Sequence, residues 1–126
     1  MHQEKDSLYD KHKKNEKLFN EKDYSKALEE SLILLDKAIN DKNKEIEYLS
    51  SFLIGDCFLK MNNHEKAIQY FQKSLNVLDS SNLLFDNEFV KSKSLSISAI
   101  EIRARNFGNL YGLVTSLSYV AEKAGE

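Results

Sequence analysis

The chain has 126 residues, 41% of them hydrophobic and 30% charged, with no proline and a formal net charge of −2. That is one domain's length of core, free of the strongest helix breaker and lacking the basic field that would draw a phosphate backbone, so nucleic acid is not an expected partner. Cys57 is the only cysteine, which excludes an internal disulfide. The N-terminal MHQEKDSLYDKHKK lacks a signal-type apolar stretch, and no apolar run approaches the ~20 residues of a membrane span, so a cytoplasmic location is expected.

Charge is uneven along the chain: 22 of the first 47 residues are charged, against 6 in residues 48–79 and 10 in residues 80–126. The N-terminal part therefore reads as solvated and the later parts as buried or adhesive. Leu8, Tyr9, Leu18 and Phe19 give residues 7–20 one sparse apolar face, ending near Asn20-Glu-Lys-Asp23. Residues 24–40 carry Ala27, Leu28, Leu32, Leu35 and Ile39 at spacings of three and four, the stripe of an amphipathic helix. After the polar break Asp41-Lys-Asn-Lys44, residues 45–61 place Leu49, Phe52, Leu53, Ile54, Cys57, Phe58 and Met61 almost all round a helix. A helix apolar on every side needs neighbours on more than one side, so this one is expected at the centre. Asn62-Asn63-His64 then offers a turn and a helix start, and residues 65–78 follow with Ala67, Ile68, Tyr70, Phe71, Leu75 and Leu78.

Beyond Asn82 the signal is mixed. Lys93-Ser-Leu-Ser-Ile-Ser98 alternates with a period of two, the pattern of a strand. Ile97, Ile100, Ala104 and Phe107 also fall at helical spacing and run past any short strand, and a lone hairpin would lack partner strands. The spacing predicts a helix over about 86–106, stopped by Gly108, and a last helix from about Asn109 to Lys123.

Self-similarity joins the first two helix pairs. Gly55 is followed by Phe58, then Ala67, then Phe71: a small residue and a ring on the first helix, a small residue and a ring on the second. Small residues let two helices approach and the rings fill the space around the contact. Forty residues upstream, Asn15 stands for Gly55, Leu18 for Phe58, Asp23-Tyr24 for Asn63-His64 and Ala27 for Ala67. These residues resemble the tetratricopeptide (TPR) repeat family, in the branch with repeats of about 40 residues found in bacterial regulatory and adaptor proteins. Leu117-Ser118, Ala121 and Gly125-Glu126 look like the first helix of a further repeat.

The resemblance implies an all-α fold of about six helices, antiparallel pairs stacked as a short right-handed solenoid in one domain. Its repeat units would cover about 8–41 and 48–81, with degenerate or capping helices over about 84–124. It also implies a concave groove that binds a partner peptide or helix, lined by Leu49, Phe52, Asp56 and Leu59 in one unit and by Tyr9, His12, Glu16 and Phe19 in the other. Gly55, Phe58, Ala67, Phe71 and Ala27 are then packing positions. The family's carboxylate-clamping branch needs Lys, Arg and Asn in that groove, where this chain has apolar residues, His and acids.

Other chemistry is thin. The histidines and Cys57 lie on different expected elements with no pair at i,i+3 or i,i+4, so no metal is expected. Cys57 sits in mid-helix, a setting for a packed thiol rather than a nucleophile. His12 and Glu16, four apart, read as a solvated pair on a charged helix rather than an acid–base couple. Gly108 and Gly112 suit a helix stop followed by a close crossing, and the serines at 92, 94, 96 and 98 fit either a modified segment or a crowded helix face. No phosphate loop, nucleophile elbow or HExxH is present, so neither catalysis nor a cofactor is expected. The leading reading is a protein-binding module. Its alternative is a small inhibitory, immunity-type or regulatory protein that blocks an enzyme through an acidic surface around Glu29-Glu30 and Asp36, and self-association through the low-charge C-terminal helices is a third.

Overall fold

The computed structural model describes residues 3–81 and 97–125, and all regular structure among them is helical. The helices are α1 (Gln3–Asn20), α2 (Tyr24–Asn40), α3 (Lys44–Lys60), α4 (His64–Ser81) and α5 (Ile97–Ala124).

One turn is used three times. Lys22, Lys42 and Asn62 each adopt positive φ, at 66°, 55° and 64°, just past the ends of α1, α2 and α3. In each case the next amide reaches back across the helix end, Asp23 N–H to the Leu18 carbonyl, Asn43 to Ala38 and Asn63 to Phe58. This 6→1 closure satisfies carbonyls that a helix end otherwise leaves unpaired. The same Asp23, Asn43 and Asn63 then cap the following helix, their side-chain oxygens accepting from Lys26, Ile46 and Lys66 N–H at 3.4, 3.1 and 3.3 Å. Stop and start signals are thus fused at twenty-residue intervals, and the three-residue turns fold each helix back along the one before.

Left-handed backbone is costly for residues with a Cβ, by roughly 1–2 kcal/mol. Lys42→Gly is therefore expected to raise the unfolding free energy by about 0.5–1 kcal/mol after the greater freedom of glycine in the unfolded chain is subtracted. Chemical denaturation of the two proteins measures it.

Each helix packs on the next, and the odd-numbered helices also meet, α1 on α3 and α3 on α5; among the described residues no other pair of helices is in contact. The sequence expectation for α3 holds: every residue from Ile46 to Gly55 is buried, Glu47 included, because α2, α4, α1 and α5 all lean on it. Leu8, Leu34, Ala38, Tyr48, Phe52 and Phe71 belong to one apolar cluster. Ala27, Leu53 and Cys57 form a second, packed by Leu18, Phe19 and Leu28.

One expectation for the C-terminal part is corrected. Gly108 does not stop a helix: α5 runs through it as one helix of 28 residues, where two helices with a break were expected. A physical reason lies in α3: a Cβ on Gly108 would stand 3.2 Å from the tip of the Phe52 ring, so glycine, though exposed, leaves room for that ring within a continuous helix. Five helices are seen among the described residues, and the expected total of six extends over residues outside them. The strand alternative at 93–98 fails from Ile97 onward, which is helical; the rest of that alternation, and the expected helical stretch 86–96, lie outside the described residues.

Candidate functional site

The eight expected groove positions divide in two. His12, Leu49 and Phe52 are buried, at 1%, 5% and 6% exposure, and present nothing to a partner. Tyr9, Glu16, Phe19, Asp56 and Leu59 are half-buried. Of these, Tyr9 and Leu59 pack on the larger cluster, Phe19 packs on the smaller one and tilts against Tyr24 at 5.2 Å, and Glu16 sits 3.7 Å from His12. The packing positions behave as their spacing predicts: Ala27, Ala67 and Phe71 are fully buried, and Phe58 stacks on Tyr70 at 5.7 Å.

The seat of α5 is a stripe of small residues four apart. A Cβ on Gly108 would stand 3.2 Å from the Phe52 ring, and one on Gly112 would stand 2.8 Å from Phe71. One turn on, Ser116 Oγ lies 3.3 Å from His64 Nδ1, and the His64 ring stacks on Tyr119 at 4.1 Å. Small residues here bring the α5 backbone against rings of α3 and α4. The close crossing expected of the glycine pair is therefore present.

The opposite face of α5 is apolar and open. Tyr111, Val114 and Leu117 are 75%, 60% and 45% exposed, with Ser118 and Ala121 exposed beside them. No charged residue occurs from Asn106 to Ala121. That neutral run is the available sequence signal, and it reads only as stickiness because its inner and outer faces cannot be told apart without knowing what α5 packs on. The outer helix at the other end of the array differs: α1 exposes Asp10, Lys11, Lys13, Lys14 and Lys17.

A second feature arises from the imperfect repeat. Between α3 and α4 the seam is filled by the Phe58–Tyr70 stack and by Phe71, which lies against Gly55. Forty residues upstream the corresponding positions are Leu18, Glu30, Ser31 and Asn15. With no ring among them, α1 and α2 enclose a cleft of about 330 Å³. Leu18, Glu30 and Asn15 line it together with Ile33 and Leu34, and four lysines, Lys11, Lys14, Lys26 and Lys37, stand around it. In the sequence the substitutions at Asn15 and Leu18 read as weakness of the repeat; that they open a space is visible only in the fold.

Cys57 is fully buried, and burial, followed by the neighbouring Asp56 carboxylate, pushes its thiol from 9.0 up to about 12. It is therefore a protonated, packed thiol at neutral pH. A disulfide thiol reagent is expected to leave the native protein unmodified and to react in full once denaturant unfolds it; rapid modification of the native chain would contradict this burial. Because the unfolded thiol ionises near 9 and the folded one near 12, the stability that the neutral thiol contributes is complete below pH 9 and lost as pH rises toward 12. Among the described residues no group of three His, Cys, Asp or Glu is placed to hold a metal ion, and no helix is long and apolar enough to cross a membrane.

In comparisons with known proteins, no family model, no curated protein and no solved structure matches this chain.

Proposed function

We propose that the chain is a TPR-like, non-enzymatic protein-binding module, acting as an adaptor or regulatory protein in the cytoplasm, whose stacked helices accept a partner helix. The neighbour pattern, consecutive helices plus odd on odd, supports a short solenoid, as does the recurrence of the same turn at half-repeat intervals. His12, Leu49 and Phe52 are buried, so the docking surface is taken to be the outer face of α5 instead of the groove they were expected to line.

A single observation carries the reading. On α3, Ser51, Ile54, Gly55 and Phe58 lie at i, i+3, i+4 and i+7, and the glycine and phenylalanine of this row meet Phe71 and Tyr70 of α4. On α5 the same spacing gives Val114, Leu117, Ser118 and Ala121, all of them exposed. The two rows share a bulky-then-small step, Leu117-Ser118 for Ile54-Gly55, while Val114 and Ala121 stand where Ser51 and Phe58 do; such a face fits a helix resembling α4, with a small residue followed four positions later by an aromatic one, as Ala67 and Phe71 are. Since the face is neutral, the partner's apolar side needs no matching charge.

The test uses a synthetic peptide of residues 63–81 added to the full chain. Saturable binding that shifts the amides of residues 111–121 is expected, weakened at least about tenfold by Leu117→Asp, as for a central apolar contact. Leu117 is half-open and its replacement should leave the helical circular dichroism unchanged. Absence of binding, or binding indifferent to Leu117→Asp, would refute the α5 surface. Sedimentation that depends on concentration in the native chain and not in the Leu117→Asp variant would identify a second copy as the natural occupant.

A further inference from the structure

We infer that the cleft between α1 and α2 is a binding site for a short acidic peptide segment carrying aliphatic side chains. This stands apart from the α5 surface, and neither depends on the other.

Three features of the cleft select this ligand. Its floor is apolar: Leu34 is 3% exposed, and Ile33, at 59%, lies open beside it, an isoleucine that α2 gains nothing by exposing. Its border is cationic: Lys11, Lys14 and Lys26 stand there beside Lys37, which already has a partner, and the carboxylate of Glu30, four residues from Lys26, offsets only part of the charge of the first three. Acidic side chains are the complement, and attraction of this kind is strongest at low salt.

The third feature is Asn15. It lines the cleft at 5% exposure, and among the described residues no hydrogen bond or other polar contact engages its carboxamide. Its polar atoms are not sealed in the protein but reach the cleft, so whatever fills the cleft is placed to bond with them. Its carboxamide both donates and accepts, and so matches the N–H and C=O of a peptide unit at once. A fatty acid carboxylate offers only acceptors at neutral pH, and inorganic phosphate, though it keeps an O–H, has no apolar part to cover Ile33 and Leu34. The peptide is therefore favoured over the other anions that lysines alone would attract.

The origin of the cleft agrees with this assignment. In the downstream pair Phe58, Tyr70 and Phe71 close the seam, and Gly55 is shaped to the Phe71 ring. In the upstream pair Leu18, Glu30 and Ser31 leave it open, and the residue facing the opening is a polar carboxamide in place of glycine. A volume of about 330 Å³ lies at the small end of ligand sites. It suits a short extended stretch of chain and not a folded domain.

The experiment is a titration of the isotope-labelled full chain with the capped pentapeptide acetyl-Glu-Leu-Glu-Leu-Glu-amide, followed by nuclear magnetic resonance. A saturable shift of the Asn15 side-chain amide and of backbone amides in α1 and α2 is expected. The same peptide with Gln for Glu should bind at least about tenfold more weakly. The double variant Lys14→Glu, Lys26→Glu, altered only at exposed positions, should lose about as much, and Asn15→Ala should lose affinity while its circular dichroism stays helical. Three results would overturn the site: no saturable shift at Asn15, equal affinity for the Gln peptide, or unchanged affinity in the lysine variant. Octanoate or inorganic phosphate binding as tightly as the peptide would overturn the assignment of a peptide. Leu117→Asp should leave this titration unchanged, which separates it from the α5 surface.

Discussion

Phe71→Ala is expected to be the most damaging single substitution in the chain, lowering the unfolding free energy by about 3–5 kcal/mol, the range for emptying a buried phenylalanine site. The ring is fully buried and meets α3 at Gly55, α5 at Gly112 and the Phe52 ring, centroid to centroid, at 6.1 Å. Three helices therefore border the cavity that alanine would leave. Of these, α3 cannot close it by moving alone, since α2 and α1 hold it on its other sides. Against a typical stability of about 5–15 kcal/mol, a loss of this size leaves a marginal protein. Thermal unfolding followed by circular dichroism should show a fall of roughly 10–20 °C. A change under about 1 kcal/mol would mean that the helices collapse around the site and that Phe71 is not the keystone described.

The second large effect belongs to the glycines that flank this ring, and its sign depends on Phe71. Alanine in a helix interior is favoured over glycine by about 1 kcal/mol, so Gly55→Ala would stabilise an open helix. Here the added Cβ would stand 2.7 Å from two ring carbons of Phe71. The ring cannot retreat, because a Cβ on its other side, at Gly112, would already fall 2.8 Å from it. Overpacking costs of about 1–3 kcal/mol then exceed the propensity gain. Gly55→Ala and Gly112→Ala are each expected to destabilise by about 1–2 kcal/mol, and the pair together by more than the sum, since each removes the space into which the ring would move. In a Phe71→Leu background the smaller side chain leaves room and both alanines become neutral or stabilising. Chemical denaturation across the double-mutant cycles should give a coupling of about 2 kcal/mol. Additive behaviour would rule out the clamp.

Half of this clamp was legible in the sequence. Gly55 and Phe71 stand 16 residues apart on adjacent helices joined by a short turn, so their meeting follows from helical geometry. Gly112 was not assigned to the same ring, because α5 is separated from α4 by a stretch whose course the spacing of residues does not fix. For the same reason Gly108 looked like a stop: glycine near a change in pattern usually ends a helix, and only the presence of Phe52 opposite it gives glycine another use. Of the expected groove residues, those that face outward on an isolated helix pair proved partly buried once neighbouring helices were in place. His12 is the sharpest case, exposed on a charged helix by pattern and 1% exposed in the fold.

By itself, then, the sequence determined the local architecture: four N-terminal helices separated by the polar breaks at 20–23, 41–44 and 62–64, the central position of α3, and the close approach of α3 and α4 at Gly55 with Phe71 beside it. These depend on interactions between residues near one another in the chain, which periodicity and capping chemistry report directly. The tertiary structure alone decided that α5 is one continuous helix seated on Gly108, Gly112 and Ser116, that its outer face is the open apolar surface, and that the gap beside Asn15 is a cleft. Whether an apolar residue is core or surface, and whether a missing ring leaves a flaw or a site, depends on which helices arrive from elsewhere in the chain, and no local pattern encodes their arrival.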